Sequence, residues 1–116
     1  ARQIDLAEVY DSYTGAEVQG IEALGLAPDG GAAARLTDGL YNRDGDLPVN
    51  LSGGLIGQGG APGATGIAQA ITVSRLIEGR YHEGLQPGRD LRTGLIDCHG
   101  GLATANFAHV LQRVKP

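Results

Sequence analysis

One segment constrains this chain more than any other: Ser52–Gly66 reads Ser-Gly-Gly-Leu-Ile-Gly-Gln-Gly-Gly-Ala-Pro-Gly-Ala-Thr-Gly. Glycine adopts backbone conformations closed to other residues and lets a second group approach the main chain closely. The run feeds into Ile67, Ala70, Ile71, Val73, Leu76 and Ile77, which recur at helical spacing. The spacing predicts a helix over Ala64–Glu78, stopped by Gly79. Its apolar positions cover most of the circumference, so burial on nearly all sides is expected. The start of such a helix presents free N–H groups and about half a positive charge. The loop therefore reads two ways, as a pocket for an anion or developing oxyanion or as a tight turn packed inside a domain. No Gly-Lys-Ser/Thr follows, which excludes the phosphate-cradling nucleotide loop. The dinucleotide fingerprint also fits poorly, because the run is too long and no acidic residue ends a following strand. Nucleotide binding ranks last among the readings.

Composition sets the outer bounds. The chain has 116 residues, 20 of them glycine, with 41% hydrophobic residues and a formal charge of −4. That length allows one domain, and the apolar share is enough for a core. No Gly-X-Y period exists, so the glycine is not collagen-like. One cysteine forms neither an internal disulfide nor a Cys-rich zinc site. With no Lys/Arg cluster, nucleic acid is not the expected partner. No apolar stretch approaches the ~20 residues of a membrane span. No secretory pattern opens the sequence, so a cytoplasmic location is expected. The opening Ala-Arg-Gln-Ile-Asp lacks an initiator methionine, which suggests a fragment or a processed chain.

Along the chain, Ile4–Tyr10 reads as a strand and Thr14–Leu24 as a short amphipathic helix. Thr14 and Glu17 have capping-box spacing, and Gly25 stands where a terminating glycine belongs. Ala27–Asp46 carries strong turn chemistry and reads as loop. Leu47–Leu51 is a short predicted strand, and Tyr81–Arg92 a polar loop. Thr93–Cys98 and Ala103–Gln112 read as antiparallel strands joined by His99–Leu102. The order β-α-β-α-β-β means an α/β fold with a mixed sheet and buried helices.

Two further groupings can carry chemistry. Cys98-His99-Gly100-Gly101 lies at a predicted strand end, where a thiol helped by imidazole can act as acid, base or nucleophile. The alternative is a small buried hydrophobe beside a solvated His99. Tyr10-Asp11-Ser12-Tyr13 stands at a strand-to-helix junction, the usual ligand end of an α/β sheet. There the phenol or carboxylate can move a proton, or Asp11 and Ser12 cap the helix while the tyrosines pack. His82 is expected to be solvated and His109 to be a satisfied structural side chain. No carboxylate or second cysteine stands at metal-ligand spacing, so no metal is expected.

Taken in order, these motifs resemble the C-terminal half of the thiolase superfamily, in the branch of sterol-carrier-protein thiolases and lipid-transfer-protein relatives, thiolase-like aldolases included. The likeness covers nearly the whole chain. Asp5–Tyr13 looks like the strand carrying Asn-Glu-Ala-Phe or His-Asp-Cys-Phe. Pro48–Gly54 looks like Val-Asn-x-Ser-Gly-Gly, Gly63–Gly66 matches Gly-Ala-Thr-Gly, and Cys98-His99-Gly100 matches Cys-x-Gly. The departures are specific. The Gly-His-Pro histidine that activates the nucleophile and binds the thioester oxygen falls on Gly60, and the cysteine of His-Asp-Cys-Phe falls on Ser12.

The resemblance implies half of a thiolase fold over residues 1–116: a layered αβα arrangement with a mixed five-stranded-type sheet and a Gly-rich active-site loop. It implies a missing N-terminal half, on this chain or a partner, which carries the family's nucleophilic cysteine. It further implies a homo-oligomer, and a possible partner in a small OB-fold/zinc-ribbon acyl-CoA-binding subunit. No covalently bound cofactor is implied, and a CoA thioester is the expected substrate. Substitution of the histidine favours retro-aldol cleavage of a β-hydroxyacyl-CoA, of lipid or steroid side-chain type, over thiolysis. The other outcome is a catalytically degenerate subunit that binds acyl-CoA or scaffolds an active partner. The residues carried over as catalytic are Tyr10, Cys98 and Asn50, with Asn50 orienting a water or the thioester oxygen. Those carried over as substrate-binding are Asp11, Ser52, Gly53, Gly54, Gly60, Gly63, His99 and Gly100.

Overall fold

The computed structural model describes residues 3–101 and 103–114. Its elements run β1 (Leu6–Glu8), α1 (Thr14–Ala23), α2 (Ala32–Thr37), α3 (Gly54–Gln58), α4 (Thr65–Ile77), β2 (Thr93–Gly100) and β3 (Ala105–Gln112). The sheet has the order β1-β2-β3, with β1 parallel to β2 and β2 antiparallel to β3. It is mixed, as expected. Among the described residues it has three strands rather than five. The strand predicted over Leu47–Leu51 reduces to one parallel bridge, Val49 to Ala7. Ala7 still donates its N–H to the Pro48 carbonyl and accepts from Asn50 N.

Strand periodicity divides the core in two. Alternate side chains leave opposite faces of a strand. Ala7, Val9 and Leu95 accordingly join Ile21, Leu26, Ala32 and Tyr41 on the α1–α2 side. Leu6 and Ile96 join Leu51, Val73, Leu76, Ile77 and Leu91 on the α4 side. Helices thus cover both faces of β1 and β2, giving the αβα layering, and every residue of β1 is buried. The close approach of α4 depends on Gly94, where a Cβ would sit 2.3 Å from Val73 Cγ1.

The differences from expectation have a common cause, which is capping by residues distant in sequence. Helix α1 shows no side-chain cap hydrogen bond at Tyr13, its N-cap. Glu17 accepts instead from Asn50 Nδ2 at 2.9 Å, so the predicted capping box is not made. Helix α2 lies within the predicted loop 27–46, and its Ala32 N–H donates to Glu22 Oε1 on α1. Helix α3 interrupts the predicted glycine loop. Its Leu55 and Ile56 N–H groups donate to Asp11, 2.7 and 3.5 Å away. Asp11 therefore caps α3, not α1.

The α4–β3 flank is open. Helix α4 was expected to be buried nearly all round, yet Ile67 and Ile71 are exposed, as are Phe107 and Val110 of β3. Together they line an apolar cleft of about 930 Å³ with Cys98 at one end. His109 is exposed rather than satisfied in the interior, while His82 is exposed as expected. Strand β2 also runs past Cys98 to Gly100, so Cys98 and His99 sit in the ladder opposite Phe107 and Asn106. Leu102 of the expected strand link lies outside the described residues. No described helix is long and apolar enough to cross a membrane.

Candidate active site

The C-terminal ends of β1 and β2 and the segment before α4 converge on a cleft of about 560 Å³. Tyr10 and Ser12 enter it from the end of β1, Cys98, His99 and Gly100 from β2, and Gly60, Gly63 and Thr65 from the approach to α4. Residues far apart in sequence thus meet, among them Tyr10, Gly60, Gly63, Cys98, His99 and Gly100 of the expected site. Cys98 lies beside the first turn of α4, so close that a Cβ on Gly66 would be 3.3 Å from Sγ. The His99 ring stacks on Tyr10, with centroids 4.6 Å apart and planes 23° from parallel.

The remaining expected site residues form a shelf beneath this cleft. Asn50 holds a left-handed backbone with φ of 52°. Its Oδ1 accepts from Val9 N at 2.7 Å and its Nδ2 donates to Glu17. Both ends of the amide are thus engaged in joining β1 to α1. In this geometry the Asn50 amide holds the strand end that leads to Tyr10 against α1. Ser52 Oγ donates to Glu8 Oε2 and accepts from Gly54 N. Gly53 and Gly54 have φ of 88° and 61° and turn the chain into α3. Asp11, Ser52, Gly53 and Gly54 therefore build the platform that carries Leu55 and Gly60 to the cleft wall.

Glu8, Gln69 and Asp97, polar residues beneath the site, escaped the sequence reading. Glu8 is buried on β1, and that burial pushes its carboxyl up to about 7. The two Ser52 hydrogen bonds oppose the shift and nearby Asp11 adds to it. Burial likewise raises Glu17, against the hydrogen bond from Asn50. Gln69, buried on α4, donates from Nε2 to the Asp97 carbonyl at 2.8 Å and ties the helix to the strand end. Asp97, 3% exposed, places Oδ2 3.0 Å from His99 Nε2. That contact brings the charge close, but it lacks the alignment of a made hydrogen bond. The signal for Asp97 was present in the sequence: residues i and i+2 of a strand share a face. Among the described residues no group of three His, Cys, Asp or Glu side chains is placed to hold a metal ion.

Comparison with known proteins places this arrangement. Residues 1–113 match the family model described as thiolase C-terminal domain-like. The chain belongs to that family. It is 36% identical over 110 residues to an acetyl-CoA acetyltransferase of Methanothermobacter thermautotrophicus, covering 95% of this chain and 28% of that protein. It is 33% identical over 104 residues to a steroid side-chain-cleaving aldolase of Thermomonospora curvata, covering 90% of this chain and 25% of the aldolase. Human sterol carrier protein 2 is 36% identical over 85 residues, covering 73% of this chain and 16% of that protein. Among solved structures, the Ltp2-ChsH2(DUF35) aldolase matches with a TM-score of 0.74 and 27% identity, over 95% of this chain and 27% of that one. This thiolase domain thus spans about a quarter of the acetyltransferase and the aldolase it resembles.

Proposed function

We propose that this thiolase C-terminal domain belongs to an enzyme that cleaves the carbon–carbon bond of a β-hydroxyacyl-CoA by a retro-aldol reaction. The observation that carries the reading is the composition of the 560 Å³ cleft, whose walls bring together Tyr10, Cys98 and Gly60, the residue on which the family's histidine falls in the motif resemblance. Thiolysis needs that histidine to activate a nucleophile and bind the thioester oxygen. Retro-aldol cleavage needs no covalent thioester. It needs a base for the β-hydroxyl proton and a group that stabilises and reprotonates the enolate. In this reading the Tyr10 phenol lies at the reacting carbons, and Cys98 supplies a second proton-bearing group beside the first turn of α4. The likeness in sequence to a steroid side-chain-cleaving aldolase and in structure to the Ltp2-ChsH2(DUF35) aldolase supports this reading.

The apolar α4–β3 flank supports an N-terminal thiolase half as its cover, with a homo-oligomer built on the complete fold. An OB-fold/zinc-ribbon acyl-CoA-binding subunit is a further proposed partner; the name of the structural neighbour joins two components. The competing reading is a non-catalytic subunit that binds acyl-CoA, favoured by Gly60 and Ser12 at positions the family gives to His and Cys. The deciding experiment gives the complete protein a panel of β-hydroxyacyl-CoA thioesters and, separately, β-ketoacyl-CoA with free CoA. Carbonyl release from the first supports the aldolase. CoA-dependent cleavage of the second identifies an unorthodox thiolase, and binding without either reaction leaves the non-catalytic subunit.

A further inference from the structure

The Tyr10–His99 stack separates two clefts. On one side lies the glycine-lined cleft already described. On the other is a cleft of about 680 Å³ between α1 and β3, whose walls include Gln19, Gly20, Asn106 and Ala108 as well as Tyr10 and His99. Asp97 opens onto this second cleft. Asp97 and His99 share a face of β2, and the carboxylate stands 3.0 Å from Nε2. The side chain of Asp97 is 5% exposed and that of His99 is 17% exposed. Helix α1 leaves room for the carboxylate at Gly20, where a Cβ would come 3.6 Å from Asp97 Oδ2 and 2.7 Å from Val9 Cγ1. A buried carboxylate without an aligned donor, aimed at an imidazole that reaches the cleft, has no use in the packing of this sheet.

We propose that His99 is the general base of the retro-aldol reaction and that Asp97 is its positioning residue. The proposal rests on the reading of the cleft as an aldolase site. The carboxylate stands on the Nε2 side of the ring; an aligned hydrogen bond from Nε2–H to Asp97 in the reacting complex fixes the tautomer and leaves the Nδ1 lone pair free, the division of labour of an Asp–His pair in acyl-transfer triads. Nδ1 removes the proton of the substrate β-hydroxyl. The Cα–Cβ bond breaks, the β-carbon becomes a carbonyl, and the bonding pair passes to Cα as the thioester enolate. The Tyr10 hydroxyl returns a proton to Cα, and the phenolate regains one from the imidazolium across the stack through solvent. Substrate becomes one carbonyl compound and one shortened acyl-CoA, with no oxidant, reductant or metal consumed. A protonated imidazole held against the Tyr10 ring is further stabilised by the π face.

The test uses the complete protein with two independent readouts. Nitrogen-15 NMR of the histidine side chains reports the tautomer of His99 whether or not substrate turns over. The expected result is Nε2–H in the wild type, with that preference lost in Asp97→Asn. In kinetics on the β-hydroxyacyl-CoA panel, His99→Gln is expected to lose roughly 10²- to 10⁴-fold in kcat with KM changed less than about threefold. Asp97→Asn should lose roughly 10²-fold, with Asp97→Glu recovering part of it. Added imidazole should restore turnover to His99→Ala, which a purely structural histidine would not allow. Retro-aldol turnover that survives His99→Gln within twofold overturns the base while leaving the aldolase reading intact. A wild-type tautomer that Asp97→Asn does not move overturns the Asp97 role alone. A protein that binds acyl-CoA but cleaves none of the panel overturns both the aldolase reading and the base.

Discussion

At position 54 a methyl group has nowhere to go. A Cβ there would lie 2.0 Å from Asp11 Oδ2, on a backbone with φ of 61°. Gly54→Ala is expected to destabilise the complete protein by roughly 2–3 kcal/mol, from overpacking and left-handed strain together. Urea titration measures it, and a loss below ~0.5 kcal/mol would show that the Asp11 cap is not rigid. Gly60 is the opposite case, since a Cβ there meets the Leu55 side chain, nearest at Cδ2, 3.1 Å away, the end of a flexible side chain. Gly60→His is therefore expected to fold. Retro-aldol turnover should not rise, because that imidazole serves thioester chemistry. Tyr10→Phe should lower kcat roughly 10²-fold or more while changing KM little, the pattern of an interaction made in the transition state. Unchanged turnover in Tyr10→Phe, together with CoA-dependent thiolysis by the wild type, would reject the aldolase assignment. The Tyr10 and Cys98 motifs were readable in sequence. The engagement of Asn50 was not, because its partners Val9 and Glu17 are 41 and 33 residues away.

At the scale of elements, the platform under the site carries a pH signature. The Glu8 carboxyl on β1 titrates near 4.5 when solvated and near 7 when buried. The folded state thus holds the neutral acid, and its advantage is complete below about 4.5. It is lost as pH rises through about 7, by about 3 kcal/mol over the whole interval. Glu8→Gln keeps a neutral, hydrogen-bonding side chain beside Ser52. Relative to the wild type it should gain stability as pH rises from 4.5 to 7 and hold that gain above. Denaturation midpoints at pH 5 and pH 8 check this, and a wild-type-minus-variant difference that is flat with pH would contradict it. Sequence periodicity located α1, α4, β2 and β3. It missed α2 and α3, because these short helices of six and five residues are capped by Glu22 and Asp11 from other segments. It also placed the end of β2 too early, since pairing with Ala105 and Asn106 carries the strand through His99 and Gly100.

At the scale of the molecule, the described surface is unbalanced. Ile67 is 62% exposed and Ile71 48% on α4, while Phe107 is 57% and Val110 60% on β3. Four large apolar side chains along one cleft make a surface that monomeric proteins seldom leave contiguous and uncovered. The isolated 116-residue chain is expected to self-associate and to bind an apolar dye. Paired substitution Ile67→Glu and Ile71→Glu should make it monomeric and, in the complete protein, weaken packing against the rest of the fold. Sedimentation of both forms gives the answer. A well-folded monomer of the unsubstituted chain would count against a covered flank.

Glycine spacing and the apolar period of residues 67–77 were enough to indicate an α/β chain, and the order of short motifs carried the thiolase resemblance, because those features act locally or survive as a linear pattern. Which residues face the cleft was decided only in three dimensions. Pairing with β3 extended β2 through His99, and the fold set the His99 ring beside Tyr10. Asp11 went to the start of α3 and Asn50 was drawn into the β1–α1 junction. A buried polar group must find its partner wherever the fold brings one. That partner is rarely a neighbour in sequence, so the sequence pattern named the candidates and the tertiary structure assigned their work.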